Sequence, residues 1–256
     1  MENALLLGLS RQVALGRELE TVANNLANIN TTGYKADRTI FEQFLMPLAS
    51  ADDLPAASRQ LSFVRDRATW HNMSTGPILR TGSPLDVAID GDGFLVVQTP
   101  RGQRYTRNGA LSLNATGQLV TSEGYQVMGD GGPIQFQQND HDIVISPNGI
   151  ITVKEGASPT EAQRGRLQVA GFAQPTLLQK DGSSTFMPPN GVTAGPAPQG
   201  TRVIQGAIEK SNVNAIAEMA RMIKVTRSYS DVAAILQQEG DLRRGALQQL
   251  SQPPTA

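Results

Sequence analysis

Apolar positions recur in two different periods along this chain. Near the start Leu15, Leu19, Val22, Leu26 and Ile29 step by four and three, which lays them along one stripe of a helix. From Leu85 to about Val203 the period falls to two. Leu85, Val87 and Ile89 alternate, and Phe94-Leu95-Val96-Val97 has the pattern of a buried strand. Past Ser211 the helical period returns: Ala215, Met219, Met222, Thr226, Tyr229, Ala233 and Leu236 form one stripe, with Ile216, Ala220 and Ile223 beside it. The pattern predicts an α+β chain in which long N- and C-terminal amphipathic helices bracket an inserted, mainly antiparallel β domain. The divisions are an N-terminal helix over 1–33, a connector over 34–82, a β domain over 83–205 and a C-terminal helix over 206–256.

Turn chemistry supports the middle of that reading. Asp90-Gly91-Asp92-Gly93, Pro100-Arg101-Gly102, Asn108-Gly109, Thr116-Gly117, Glu123-Gly124 and Asn148-Gly149 recur between short apolar runs, as hairpins require. Residues 182–200 hold several Gly, Pro and Ser and predict a long loop. In the connector, Phe41, Phe44 and Leu45 form a short apolar cluster before a looser stretch over 49–59. Ser211-Asn212-Val213-Asn214 offers caps for the last helix, and the tail Gln252-Pro253-Pro254-Thr255 cannot continue it.

One segment breaks the ordinary pattern. The run 22–35 sets Asn24, Asn25, Asn28 and Asn30 into the end of the first helix, although Asn is a poor helix former. Asn25 borders the apolar stripe, Asn28 lies further round and Asn24 faces the other way. Polar groups on all sides suggest a helix surrounded by other chains, its amides serving as hydrogen-bond partners. A solvated, Asn-rich helix end is the plainer alternative. Gly33 is expected to stop the helix in the left-handed conformation.

Composition narrows the function. The chain's 256 residues allow one large domain or two small ones, and its formal net charge of −1 carries no footprint for nucleic acid or anionic membrane. There are no cysteines, so disulfides and thiolate metal sites are excluded. No secretory signal pattern opens the chain, and no stretch reaches the ~20 apolar residues of a membrane span.

No catalytic constellation is visible. His71 and His141 are far apart, and neither has a second ligand at helical or hairpin spacing. Asp86, Asp90 and Asp92 lack EF-hand spacing, so a turn is the better reading. Gly129-Asp130-Gly131-Gly132 lacks a phosphate-loop lysine and reads as a turn. Three Asn-x-Ser/Thr matches at Asn30, Asn72 and Asn114 read as chance. No metal, cofactor or enzymatic activity is expected.

Three blocks together carry a family resemblance. Asn24-Asn25-Leu26-Ala27-Asn28 with Thr31-Thr32-Gly33-Tyr34-Lys35 resembles the N-terminal signature of flagellar axial proteins of the rod and hook type. The run 84–96 with Tyr105-Thr106-Arg107-Asn108-Gly109 resembles the blocks that open the family's β domain. Gly206-Ala207-Ile208-Glu209-Lys210-Ser211-Asn212-Val213-Asn214 resembles the approach to its C-terminal helix. The start Met1-Glu2-Asn3 departs from the family in lacking an aromatic. Chain length is similar to that of the intermediate rod types. The run 124–134 and the connector look more like the proximal than the distal type.

The resemblance implies a structural subunit of the basal-body rod, not an enzyme. It implies polymerisation with other rod subunits, proximal and distal, with copies of the chain itself as further candidate neighbours, export by the flagellar type III apparatus without a cleaved signal, and a place in the periplasmic rod. It also implies that the two terminal helices pack together, coiled-coil fashion, in the wall of a tube. The interface residues expected on this basis are Leu15, Leu19, Val22, Asn24, Asn25, Leu26, Asn28, Ile29, Thr32 and Gly33 at the front. At the back they are Ser211, Asn212, Asn214, Met219, Met222, Ile223 and Tyr229. The residues themselves leave two other arrangements open: a private helical hairpin carrying a β binding module, or an enzyme whose site leaves no sequence mark.

Overall fold

A computed structural model of the chain describes residues 2–47, 60–156, 160–182 and 184–251. These residues form two compact units. The first contains 1–26, 37–70 and 215–256, and the second 27–36 and 71–214. The looser stretch expected over 49–59 and the tail from 252 lie outside the described residues, as do the side chains of Phe41, Phe44 and Leu45.

The first unit holds helix α1 (Glu2–Ala27), strands β1 (Asp37–Pro47) and β2 (Gln60–His71), and helix α2 (Ala215–Ser251). β1 and β2 pair as a two-stranded sheet where a connector was expected. Glu18 meets Arg221 at 2.8 Å and Asn25 meets Glu218 at 3.4 Å, so the two helices run antiparallel. Ala14, Glu18, Val22 and Asn25 follow the inward face of α1, and Val22 is fully buried. On α2 the inward face passes through Glu218, Arg221 and Val225, one residue before the expected stripe through Met219, Met222 and Thr226. Buried Glu218 explains the offset: Asn25 and Arg38 bind its carboxylate, and a count of apolar residues overlooks it.

α1 also ends at Ala27, six residues before Gly33. Thr31 donates its hydroxyl to Asn28 Oδ1 at 3.1 Å, and its N–H to the Asn28 carbonyl at 3.2 Å. The backbone bond closes an i→i+3 turn in place of the helical i→i+4 bond, and the two side chains bond each other across it.

The second unit is nearly all β. Its early strands are β3 (Ile78–Arg80), β4 (Val87–Asp90), β5 (Phe94–Thr99), β6 (Gly102–Thr106), β7 (Leu111–Leu113), β8 (Leu119–Thr121), β9 (Gln126–Gly129) and β10 (Gly132–Pro133). Then come β11 (Asp140–Ile145), β12 (Ile150–Glu155), β13 (Glu161–Arg166), β14 (Val169–Gly171), β15 (Gln179–Lys180) and β16 (Thr185–Met187). The last three are β17 (Gly195–Pro196), β18 (Arg202–Gln205) and β19 (Ala207–Glu209).

The main sheet orders β15-β16-β6-β5-β9-β8-β7, with β10 beside β9, β14 beside β5 and β17 beside β14. β11, β12 and β13 form a separate meander. Every pairing with a recorded register in this unit is antiparallel.

β5 is the axis of the unit. Its odd residues Leu95 and Val97 enter a core with Val87, Leu119, Val127 and Ile151, while Phe94 and Val96 enter another with Tyr105 and Phe186. A strand covered on both faces needs a continuous apolar run, and Phe94–Val97 provides one. The Asp90–Gly93 turn joins strands that do not pair with each other: β4 lies on β18, while β5 lies on β6, β9 and β14. That segment is therefore a corner. Gly109 is likewise a point of close approach, since a Cβ there would run into the Val87 carbonyl. Pro100-Arg101, Thr116-Gly117, Glu123-Gly124 and Asn148-Gly149 do sit at hairpin turns. Two of the Asn-x-Ser/Thr matches are Asx turns, in which Asn72 and Asn114 accept the N–H two residues on.

Candidate functional site

The three sequence blocks meet inside the second unit, around Glu209 at the end of β19. Residues 33–36 run through the unit as a fully buried peg. Gly33 (φ +70°) lies against the Arg107–Asn108 backbone, where no Cβ would fit, and donates its N–H to the Glu209 carbonyl at 2.8 Å. Gly33 is thus a docking residue, and the helix has already ended upstream. The Lys180 ammonium sits 3.6 Å from the Tyr34 ring centroid, a cation–π contact, and donates to the Lys35 carbonyl.

Lys35, fully buried, donates to Glu209 Oε1 at 2.6 Å and to the Ser74 carbonyl at 2.8 Å. Gly76 N–H also donates to Glu209 Oε1. Arg107 reaches Glu209 Oε2 at 3.2 Å and the carbonyls of Ile89 and Gly91, with its guanidinium 5.0 Å from the Phe94 ring centroid. Arg107 Nε has no hydrogen-bond partner among the described residues. Two cations and one carboxylate are thus buried together. Desolvation pushes the Lys35 ammonium below the usual lysine range, and Glu209 pulls the other way.

Asn212 closes this junction. Its Oδ1 accepts the Ala36 N–H at 2.8 Å, and its Nδ2 donates to the carbonyls of Asn72 and Ser74. Ser211 is buried and accepts the Val213 N–H. Asn25, in the other unit, donates Nδ2 to the Asp37 carbonyl and accepts the Asp37 N–H, both at 2.8 Å. The amides of Asn25 and Asn212, expected to face neighbouring subunits, are thus engaged within their own chain. Isolated apolar patterning cannot distinguish an amide turned inward from one turned outward.

The other expected interface residues divide by exposure. Val22 is buried, while Leu15, Leu19, Leu26, Asn28, Ile29, Thr32, Met222 and Tyr229 are half-buried. Asn24, Asn214, Met219 and Ile223 are exposed. Beyond them, Leu6, Leu9 and Val13 on α1 and Ile216, Ile235, Leu242 and Leu247 on α2 are more than half exposed. Leu6, Leu9 and Val13 fall on one helical face by spacing, as do Ile216, Met219 and Ile223. In the sequence, Lys35, Arg107 and Glu209 stand out only as members of the three blocks. A charged residue within an otherwise apolar β block was the available signal for their burial.

Among the described residues no group of three or more His, Cys, Asp or Glu could hold a metal ion, and no helix is long and apolar enough to cross a membrane. His71 is a core residue, its ring edge-on to Phe186 at 5.8 Å, and His141 is exposed.

A helix pair with exposed apolar faces, continuous in chain with a β unit, has the architecture of an assembly subunit. The match to known families follows the same three blocks. Residues 5–35 match the flagella basal body rod protein family, 88–153 the D1 domain of flagellar hook protein FlgE/F/G, and 204–249 the C-terminal region of flagellar basal body rod FlgEFG protein. The chain belongs to this flagellar basal-body rod family. It is 37% identical to the flagellar basal-body rod protein FlgF of Caulobacter vibrioides, over 98% of both chains. It is 35% identical to FlgF of Rhizobium meliloti over 94% of this chain and 95% of that one. The FlgG of Buchnera aphidicola subsp. Baizongia pistaciae is 33% identical over 82% and 85%.

Proposed function

We propose that this chain is a structural subunit of the bacterial flagellar basal-body rod, of the proximal type, and that it polymerises with other rod subunits into the shaft that carries torque. The observation that carries the reading is the apolar surface left on both helices after they pair. Ile216 is 81% exposed and Ile223 55%, on a helix whose other face is already covered. Exposed apolar side chains that share one helical face by spacing have the character of an interaction site. Patches on different helices favour heterologous contacts, which build open helical assemblies when they do not close. Near-full-length similarity to two FlgF proteins supports the proximal type. Shorter coverage of FlgG keeps the distal type as the second reading.

On this reading α1 and α2 form a coiled-coil-like axial domain, and the interface includes Met219, Ile223, Asn24 and Asn214 together with Leu6, Leu9 and Val13. Family membership supports export by the flagellar type III apparatus without cleavage, and residence in the periplasmic rod. A photo-crosslinking residue placed at Leu9 or Ile223 in motile cells tests the proposal. Adducts with other rod subunits are expected. Adducts confined to the chain itself, or to proteins outside the flagellum, overturn it.

A further inference from the structure

We propose that the cleft around Glu209 is a peptide-binding site for a glycine–aromatic–lysine segment, and that residues 33–36 of the chain are its detachable ligand. Neither apolar cluster of the second unit contains any residue from 27–36. Both clusters are built from residues outside the peg, whose own buried apolar side chains are Tyr34 and Ala36.

The walls of the cleft are also held independently. Glu209 lies on β19, opposite Ile78 of β3, and keeps the Gly76 N–H and Arg107 as partners. Arg107 is anchored by the carbonyls of Ile89 and Gly91. Asn212 ties to Asn72 and Ser74, and Lys180 sits on β15 against β16. Removing the peg leaves Glu209 and Arg107 as a balanced pair.

Recognition of the peg is directional throughout. Its main chain bonds on both sides, as an added strand does: Gly33 N–H to the Glu209 carbonyl, Ala36 N–H to Asn212 Oδ1, and the Ala36 carbonyl to the Asn72 N–H. Gly33 excludes any larger residue, Tyr34 takes the Lys180 cation, and Lys35 fills the polar floor. Undocking exposes two buried apolar side chains, Tyr34 and Ala36, whereas global unfolding also exposes both clusters, so undocking lies below global unfolding in free energy. Every wall residue also follows the peg in sequence, so the site is complete only after the chain has folded through Asn212.

The test uses the full-length chain with Tyr34→Ala and Lys35→Ala combined, and a synthetic peptide of residues 31–37. Calorimetry is expected to show uptake of the peptide by the double variant, at least tenfold weaker uptake of a peptide whose lysine is replaced by alanine, and no uptake by the unaltered chain. A folded double variant that ignores the peptide overturns the proposal. Hydrogen exchange on the unaltered chain decides independently, even if the double variant does not fold. Amides of Gly33 and Ala36 exchanging at least tenfold faster than those of Val96 and Val97 support a detachable peg; exchange only together with β5 overturns it.

Discussion

Asn25 and Asp37 are joined by a pair of 2.8 Å hydrogen bonds, the side-chain amide of one matching both main-chain groups of the other. The amide mimics a strand neighbour, so a helix residue caps the first residue of β1. Asn25 is completely buried. Substitution by alanine leaves the Asp37 N–H and carbonyl unsatisfied, each costing about 1–3 kcal/mol. Asn25→Ala is thus expected to lower stability by about 3 kcal/mol, read as a drop in the urea midpoint with unchanged slope. Near-native stability would mean that water replaces the amide.

Glu209 offers a second, sharper case. It is the sole carboxylate touching both Lys35 and Arg107 among the described ion pairs. Removing one partner of a buried ionic group strands the others, at a cost of about 3–5 kcal/mol. Glu209→Ala is expected to destabilise the second unit by that amount in denaturant titration. Lys35→Met, which removes one of the two cations and keeps an unbranched chain, is expected to cost less.

The outward helix faces predict the opposite profile. Leu9→Ser and Ile223→Ser remove exposed side chains, and surface changes of this kind stay within about 0.5 kcal/mol. The combined variant is expected to melt normally and to abolish swimming in cells that carry it as their only copy. Normal swimming would remove these faces from the assembly surface.

Acid dependence should show at Asp140. Hydrogen bonds from Arg164, at 2.6 and 2.7 Å, hold its carboxyl below the usual carboxylate range. A carboxyl depressed in the folded state stabilises fully above its unfolded pKa of about 3.9, and that contribution fades as pH falls toward the native value. Melting temperature measured from pH 6 downward is therefore expected to fall below about pH 4. Asp140→Asn is expected to flatten that fall; an identical acid limb would assign it to other carboxylates.

The elements were legible where burial and period agree. β5 announced itself as Phe94-Leu95-Val96-Val97 because both its faces are covered. β13, with the sequence Glu161-Ala162-Gln163-Arg164-Gly165-Arg166, carries no apolar alternation, and its place in the meander comes from β12 and from the Arg164–Asp140 pair. Gly33 marks a docking point and not the end of α1, because the chain already turns at Asn28–Thr31, where a backbone i→i+3 bond and a side-chain bond replace the helical ladder. The inward face of α2 was displaced by Glu218, a buried carboxylate that no hydropathy pattern marks. The blocks were recognisable as strings, but their meeting at Glu209 depends on contacts across 174 positions between Lys35 and Glu209. Separation of that size leaves no periodic trace.

The chain passes between its two compact units at 26–27, 36–37, 70–71 and 214–215. Neither unit is therefore a cassette. One proteolytic nick leaves covalent links between them, and a stretch of coding sequence that encodes the β unit with its peg must also carry residues 37–70 of the other unit. Duplication, fusion or grafting of that unit must take the chain from the end of the first helix onward. Its architecture can drift residue by residue, but it resists exchange by recombination of simple gene segments.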